Sequence, residues 1–510
     1  MLHFSHYSIL SDRLPSGRYL LMNGLSGAID LVSTELGEML KDALWSEHPE
    51  EAQWVIPRLS AQTLADFKER GHVTEADLEA ERAAVVTMAG AMHDHELKNP
   101  RFMIVPNLDC NYRCTYCFER PLQNALKSKD AEITHRKGNV VLETERVESI
   151  FSSIAKLQAE AGHKAGGQII LYGGEPLDHA NERVIRMIVE QGLARGFYFA
   201  AVTNGHDLEH FMDLLGTGKI EQVQVSIDGP KEVHDKRRVY IGHESSFDKV
   251  VANVRRGLAQ TDCQFQIRIH VDPLNIHYFE QMIEFFEAEG WLNRPQVVVY
   301  ANTVYSKTTT GAVSVGIDNG DIVRQIGGIV RPYSNVYASA PAVHAAMAMR
   351  PAFEMGDRFS LKGTYCSANS GNYIFAPDSH VYACWESVGK ACSRVGSYDT
   401  EGARIDPVAA AKWFKRSIAT IPACQTCAYA LICGGGCAQY AEYGDGNPYR
   451  PYCDDFQRVF RRALADHADY YLDQIMSDDQ NSDATVTYLD PIMSGNQNAD
   501  ATLTSEHRAN

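Results

Sequence analysis

The spacing of apolar residues changes along the chain, and the change divides it. Near the N-terminus, Tyr19-Leu20-Leu21-Met22 and Ala28-Ile29-Asp30-Leu31-Val32 flank Asn23-Gly24, a turn signal, and read as two short strands. Ala61 to Arg70 and Glu75 to Met92 carry helical spacing. Residues 1–95 therefore read as a small α+β module. From residue 101, apolar runs of strand length alternate with amphipathic stretches. The strands fall at Phe102–Pro106, Gln168–Tyr172, Phe197–Val202, Gln222–Ile227, Gln264–Val271 and Gln296–Tyr300, with helices near 144–160, 181–194, 207–215, 246–260 and 276–289. Six such units imply an α/β fold with a parallel sheet covered on both faces. A partial (β/α)6 barrel over 96–330 is expected, because polar motifs lie just after strands, where barrels place their sites. An open doubly wound sheet is the alternative. Residues 303–360 are less regular, and 331–360 reads as a linker. A cysteine-rich domain at 361–470 follows, with few long helices. Asp454 to about Met476 has Phe456, Val459, Phe460, Leu464, Tyr471 and Ile475 on or near one face of a helix.

Composition narrows the function classes. Of 510 residues, 45% are apolar and 22% charged, as in a multidomain globular protein rather than a disordered, collagenous or coiled-coil one. No apolar run is long enough to span a bilayer, and Met1 to Leu10 lacks the basic flank and apolar core of a secretory signal. The expected location is the cytoplasm, without a membrane partner. A net charge of −17 argues against nucleic acid, whose phosphates need a positive face. The twelve cysteines are clustered, and clustered thiols in a reducing compartment read as metal ligands.

Cys110-Asn-Tyr-Arg-Cys114-Thr-Tyr-Cys117 lies after the first barrel strand. Four thiolates would close a zinc site or a cubane. This loop supplies three, which leaves one iron of a 4Fe–4S cluster open. A zinc site completed from elsewhere and buried free thiols are the alternatives. The spacing, with Tyr116 before the last cysteine, resembles the signature of the radical S-adenosylmethionine (radical SAM) superfamily. The resemblance implies that SAM chelates the open iron and is cleaved by one electron to a 5′-deoxyadenosyl radical. It also implies that Gly173, Gly174 and Glu175 of Tyr172-Gly-Gly-Glu-Pro176 hold the SAM amino group. Thr203 and Asn204 after the third strand, Ser226 and Asp228 after the fourth, and Arg238 correspond to segments that contact the SAM ribose, methionine or substrate. Arg268 is the candidate partner of the SAM carboxylate, a role suited to a guanidinium fork.

The downstream pattern Cys424-x2-Cys427-x5-Cys433-x3-Cys437 and Cys453, with Cys366 and Cys384 upstream, resembles the seven-cysteine SPASM domain. The resemblance implies two auxiliary 4Fe–4S clusters, three in all. Cys424, Cys427, Cys433 and Cys453 would hold one, and Cys366, Cys384 and Cys437 the other. Gly434, Gly435 and Gly436 let the chain wrap tightly there. Two departures stand out. Ser379 occupies a position where the family has glycine, and no cysteine between 303 and 365 completes the three-cysteine cluster. That cluster is then open to substrate or closed by Cys392; Cys392 and Cys263 otherwise read as buried thiols.

Two branches of the family compete. Sulfatase-maturating enzymes, which make formylglycine, place a catalytic Asp after the second SPASM cysteine; here Trp385-Glu386 follows Cys384, and Glu386 is the candidate catalytic substitute. The other branch modifies ribosomally made peptides by thioether or carbon–carbon cross-links and often carries a leader-recognition domain, which residues 1–95, as a winged-helix-like module, would supply. The expected function is the second: a peptide maturase acting on a precursor peptide or protein, with flavodoxin or ferredoxin as electron donor. A non-catalytic iron–sulfur electron carrier would leave the Gly-Gly-Glu region unexplained.

The chain ends on a tandem repeat. Tyr471–Thr487 and Tyr488–Thr504 are two copies of a seventeen-residue unit, within a polar tail at 471–510. A slipped duplication at an exposed terminus explains it. The sharper reading is a tethered pseudosubstrate, with Tyr488 and Asp490 of the second Tyr-Leu-Asp as acceptor positions.

Overall fold

Six parallel strands follow one another across one sheet in chain order: Arg101–Ile104, Gly167–Leu171, Phe197–Thr203, Ile220–Ser226, Gln264–Val271 and Val297–Thr303, with a short seventh, Val336–Tyr337. A doubly wound sheet reverses its order at a switch point. This order does not reverse, so the structure, a computed structural model, has the partial barrel. It describes residues 1–45, 48–119, 140–163, 166–292, 294–307, 313–355, 358–476 and 486–488. The outer face of the strands, with Ile169, Phe199, Val223 and Ile267, packs against Ile150, Ile185, Val250 and Ile283 of the covering helices. Helices Thr144–Glu160 and Ser246–Gln260 match their expected ranges. The expected helix at 207–215 is instead a 3-10 helix, Leu208–Leu214.

The stretch expected as a linker, 331–360, is corrected by the structure: Ala340–Met355 is a helix. Its Ala342, Ala345, Ala346 and Met349 pack with Phe460, Ala463 and Leu464 of the long helix Phe456–Met476. Alanine is the strongest helix former but contributes little apolar contrast to a pattern, which is why this helix is hard to see in the sequence.

In the N-terminal module, Ser8–Leu10, Tyr19–Asn23 and Ile29–Val32 form an antiparallel sheet, followed by helices Thr34–Trp45, Ala61–Arg70 and Leu78–Leu97. Ser60 caps Ala61–Arg70 by accepting from the Thr63 amide at 3.0 Å. One face of the sheet, with Leu20, Met22, Ile29 and Leu31, shares a core with Phe460 and Leu464.

The cysteine-rich segment adds to the barrel sheet. Asn372–Phe375 pairs parallel with the first barrel strand, and His380–Tyr382, Arg394–Asp399 and Gly402–Ile405 continue antiparallel, giving eleven strands in one sheet. The turn into His380–Tyr382 holds Ser379 at φ +66°, so the backbone keeps the left-handed form although the residue is not glycine. Left-handed backbone costs a residue with a Cβ about 1–2 kcal/mol. Ser379→Gly is expected to raise stability by roughly 0.5–1 kcal/mol, while Ser379→Ala gains nothing; anaerobic denaturant titration checks this. Among the described residues, no helix is long and apolar enough to cross a membrane.

Candidate active site

The loop after the first barrel strand is shaped by its own polar groups. The Asp109 amide donates to Asn107 Oδ1 and the Cys110 amide to Asp109 Oδ1, each at 2.9 Å. The Tyr112 amide points at Cys110 Sγ, 3.3 Å away. The Gly-Gly-Glu segment lies directly against this loop: the Gly174 amide donates to Asn107 O and the Glu175 amide to Asp109 O, both at 3.0 Å. A Cβ on Gly174 would stand 2.1 Å from Asp109 O, so only glycine permits the approach. Glu175 is buried. Its carboxyl accepts from Thr203 Oγ1 and the Asn204 amide, each at 2.6 Å, and from the Leu177 amide at 2.8 Å. Burial outweighs these three donors and pushes its pKa up to about 7. Thr203, Asn204 and Glu175, expected around SAM, are thus first bound to one another. Asn204 also reaches Asn111 Oδ1 at 2.6 Å and Cys110 Sγ at 3.7 Å.

A second polar cluster closes over the cysteine loop. Arg238–Tyr240 pairs antiparallel with Tyr112–Cys114, Arg238 opposite Cys114. The Tyr116 hydroxyl donates to Asp228 Oδ2 and accepts from Arg238 Nη1 at 2.7 Å, with His270 Nδ1 at 3.3 Å. Asp228 Oδ1 accepts from the His270 amide at 3.0 Å. Burial opposes the charge on Asp228, yet His270, Arg238 and His234 together hold its carboxyl well below the ordinary range. His234 is pushed down to about 4, first by burial and then by Arg238. Its Nδ1 faces the Asp228 amide at 3.2 Å.

Ser226 ends the fourth strand, buried and in register with Arg268. Arg268 donates to Tyr300 Oη at 2.9 Å and to Gln224 Oε1 at 2.8 Å. The alternation along Gln264–Val271 buries Phe265, Ile267, Ile269 and Val271 and leaves Arg268 and His270 on the opposite face. That alternation was the available signal for His270, which sequence reasoning missed. It also missed Glu119, a buried carboxyl pushed up to about 8 by burial and then by Glu175, against Lys390.

The thiols fall into three groups. Burial pushes the Cys110 thiol up, and Glu175, Cys114 and Cys117 add to it; Cys117 is pushed up to about 12 by burial, Glu119 and Cys114. Cys424 is raised to about 12 by burial and by Cys433, Cys427 and Cys453. Cys384 reaches about 12 through burial, Glu386 and Cys366, and Cys437 rises through burial, Glu386, Cys384 and Cys366. Thiols that oppose one another's ionisation in this way are suited to a cationic group between them, which would make them thiolates. Among the described residues, no three His, Cys, Asp or Glu side chains are placed to hold a single metal ion.

Cys392 is exposed, and Cys263 is buried. Gly434, Gly435 and Gly436 all have positive φ, and a Cβ on Gly436 would stand 1.8 Å from Tyr452 O. Arg416, also missed, is buried beside them, donating to Gly436 O and Gly435 O at 2.9 Å each and facing cysteines of both C-terminal groups. Glu386 sits on the 3-10 turn Trp385–Ser387 and accepts from Tyr440 Oη at 2.5 Å.

The comparisons agree with this geometry. Residues 104–286 match the radical SAM superfamily, a span holding the first cysteine group, the Gly-Gly-Glu loop, Asp228, Arg238 and Arg268. The similarity to radical SAM domains in this match is confined to this part of the chain. The chain is 26% identical over 145 residues to an S-adenosylmethionine-dependent nucleotide dehydratase from Psychrobacter lutiphocae, covering 27% of this chain and 44% of that protein. It is 25% identical over 200 residues to a cysteine-type anaerobic sulfatase-maturating enzyme from Clostridium novyi, covering 38% and 50%. The chain thus spans about half the length of these two relatives. The solved structure of native anSMEcpe with bound AdoMet and Cp18Cys peptide shares the fold, with a TM-score of 0.53, 16% identity, and coverage of 73% of this chain and 99% of that one.

Proposed function

We propose that the chain is a radical SAM enzyme with two SPASM-type auxiliary clusters that installs a cross-link in a ribosomally made peptide. One observation supports the reading: Tyr172, at the start of the Gly-Gly-Glu loop, packs near Trp385, the residue that follows Cys384, so the barrel loop and the cysteine-rich segment meet there. Tyr172 lies in the field of Cys117, Glu119, Arg268 and Glu386 at once, and its ring stands 6.2 Å from that of Trp385. When bound, the clusters and SAM supply one-electron chemistry and hydrogen-atom abstraction.

The chain's own residues then have these roles. Cys110, Cys114 and Cys117 hold the first cluster, and Glu175 with Thr203 and Asn204 fixes the loop beside it. Asp228, with Arg238 and His270, locks Tyr116 over the same loop. Arg268 presents a guanidinium to the lumen for a carboxylate. Cys424, Cys427, Cys433 and Cys453 hold one auxiliary cluster, and Cys366, Cys384 and Cys437 the other. Glu386, and not the exposed Cys392, is the side chain that bears on both Cys384 and Cys437. It is the candidate base, or the group that completes that cluster. Residues 1–95 bind the peptide's leader, and a flavodoxin or ferredoxin supplies electrons.

The test is anaerobic turnover with SAM, reductant and the precursor peptide, followed by mass spectrometry. The expected product has lost two hydrogens and does not react with an aldehyde-trapping hydrazide. A hydrazide-reactive product on a sulfatase peptide would make the chain a formylglycine-generating maturase. Iron without SAM cleavage would make it an electron carrier.

A further inference from the structure

The antiparallel sheet of the N-terminal module has a fourth strand from the other end of the chain. Val486–Tyr488 pairs antiparallel with Ile29–Val32, Val486 opposite Val32, Thr487 opposite Leu31 and Tyr488 opposite Asp30. Without it, Ile29–Val32 would be an edge, and an edge strand offers unpaired N–H and C=O groups to any extended peptide.

Three observations say what this edge is for. The pairing strand straddles the junction of the tandem repeat, so it is built from the least explained part of the sequence. The segment Ala484-Thr-Val-Thr487 recurs as Ala501-Thr-Leu-Thr504, so the tail carries a second segment of the same β-compatible composition. The long helix that delivers the tail is anchored to the same module: Asp12 N donates to Arg461 O at 3.2 Å, and the Arg461 guanidinium lies 4.9 Å from the Trp45 ring centroid. Nine positions, 477–485, separate that helix from the strand in the sequence, a contour length of at most about 30 Å. A tether of that length holds its strand at an effective concentration in the millimolar range.

We infer that Ile29–Val32 is the peptide-docking strand of the enzyme and that the chain's own Val486–Tyr488 occupies it in cis, as a competitor which an incoming substrate peptide must displace. The backbone of Tyr488 lies in this sheet, opposite Asp30, and Asp490 lies outside the described residues. The inference rests on the reading that the substrate is a peptide, but its test needs no substrate.

The test compares the reconstituted full chain with two variants, a chain ending at Asp483 and the double substitution Val486→Pro/Tyr488→Pro, which removes strand N–H groups. Unchanged iron content verifies that each variant is folded. Hydrogen exchange is read at the backbone of 29–32, and a fluorescent synthetic peptide of residues 482–504 is titrated by anisotropy. Both variants are expected to exchange at least about tenfold faster at 29–32. The labelled peptide should bind the shortened chain at least about tenfold more tightly than the full chain, as the tether's effective concentration requires, and should restore protection. Unchanged exchange in both variants overturns the cis contact. Faster exchange that the peptide does not reverse overturns the docking strand. If exchange and binding behave as expected but no peptide is ever modified, the docking strand stands and the peptide-maturase reading falls.

Discussion

Replacing Cys110, Cys114 and Cys117 together by alanine is expected to abolish SAM cleavage while leaving about eight of some twelve irons per chain in place. The three thiols belong to one loop, held by the Gly-Gly-Glu backbone and the Arg238–Tyr240 strand. The other thiol sets are carried on different elements, around the Gly434–Gly436 turn and Arg416. Losing the first set therefore leaves the others intact. Cys263→Ala is the control: that thiol is pushed up to about 12 by burial and lies in the barrel core, so its loss should change neither iron nor cleavage. Iron analysis, electron paramagnetic resonance and 5′-deoxyadenosine assay read the outcome. A triple variant that kept all its iron would remove the cysteine loop from the cluster assignment.

Asp228→Asn is expected to destabilise the protein by roughly 3–5 kcal/mol at neutral pH, because Arg238 would keep its charge in a buried site without its counterion. The amide would also lose the acceptor geometry that holds Tyr116 and His270, so SAM affinity should fall with stability. The pH dependence follows from the sign of the shift. The folded carboxyl titrates below its unfolded value of about 3.9. Its contribution is therefore complete above that value and is lost as pH falls towards the folded one. Wild type and Asp228→Asn should differ most above about pH 5, and the difference should start to shrink only below about pH 4 and continue to shrink towards the folded value. Parallel denaturant titrations at about pH 6 and about pH 3 measure it, and a difference that grew on acidification would contradict the pairing.

Both variants concern groups that were unequally visible in the sequence. The barrel strands were legible because they are short apolar runs bounded by polar motifs. Helices 144–160 and 246–260 were legible because their burial follows the helical period on one face. The cysteine groups were legible because ligand spacing is local. The lock on Tyr116 was not. Residues 116, 228, 238 and 270 meet only because the fourth and fifth strands are neighbours and Arg238–Tyr240 folds back onto the cysteine loop, and no local pattern encodes that. Arg416 was hidden for a similar reason: a single arginine reads as surface charge until four carbonyl oxygens surround it. The helix Ala340–Met355 was lost to its own composition. The tail's pairing depends on a contact across some 450 residues, between Ile29–Val32 and Val486–Tyr488, which the repeat alone does not announce.

The continuity of the eleven-stranded sheet has a consequence for electron traffic. Asn372–Phe375 is hydrogen-bonded in register to Arg101–Ile104, so the strand leading to Cys110 and the strand between Cys366 and Cys384 are adjacent members of one ladder. Were both thiol groups to hold clusters, as proposed above, this shared ladder would set the distance between them. In that proposed reading, the arrival of substrate rather than a movement of one strand against the other would start the chemistry.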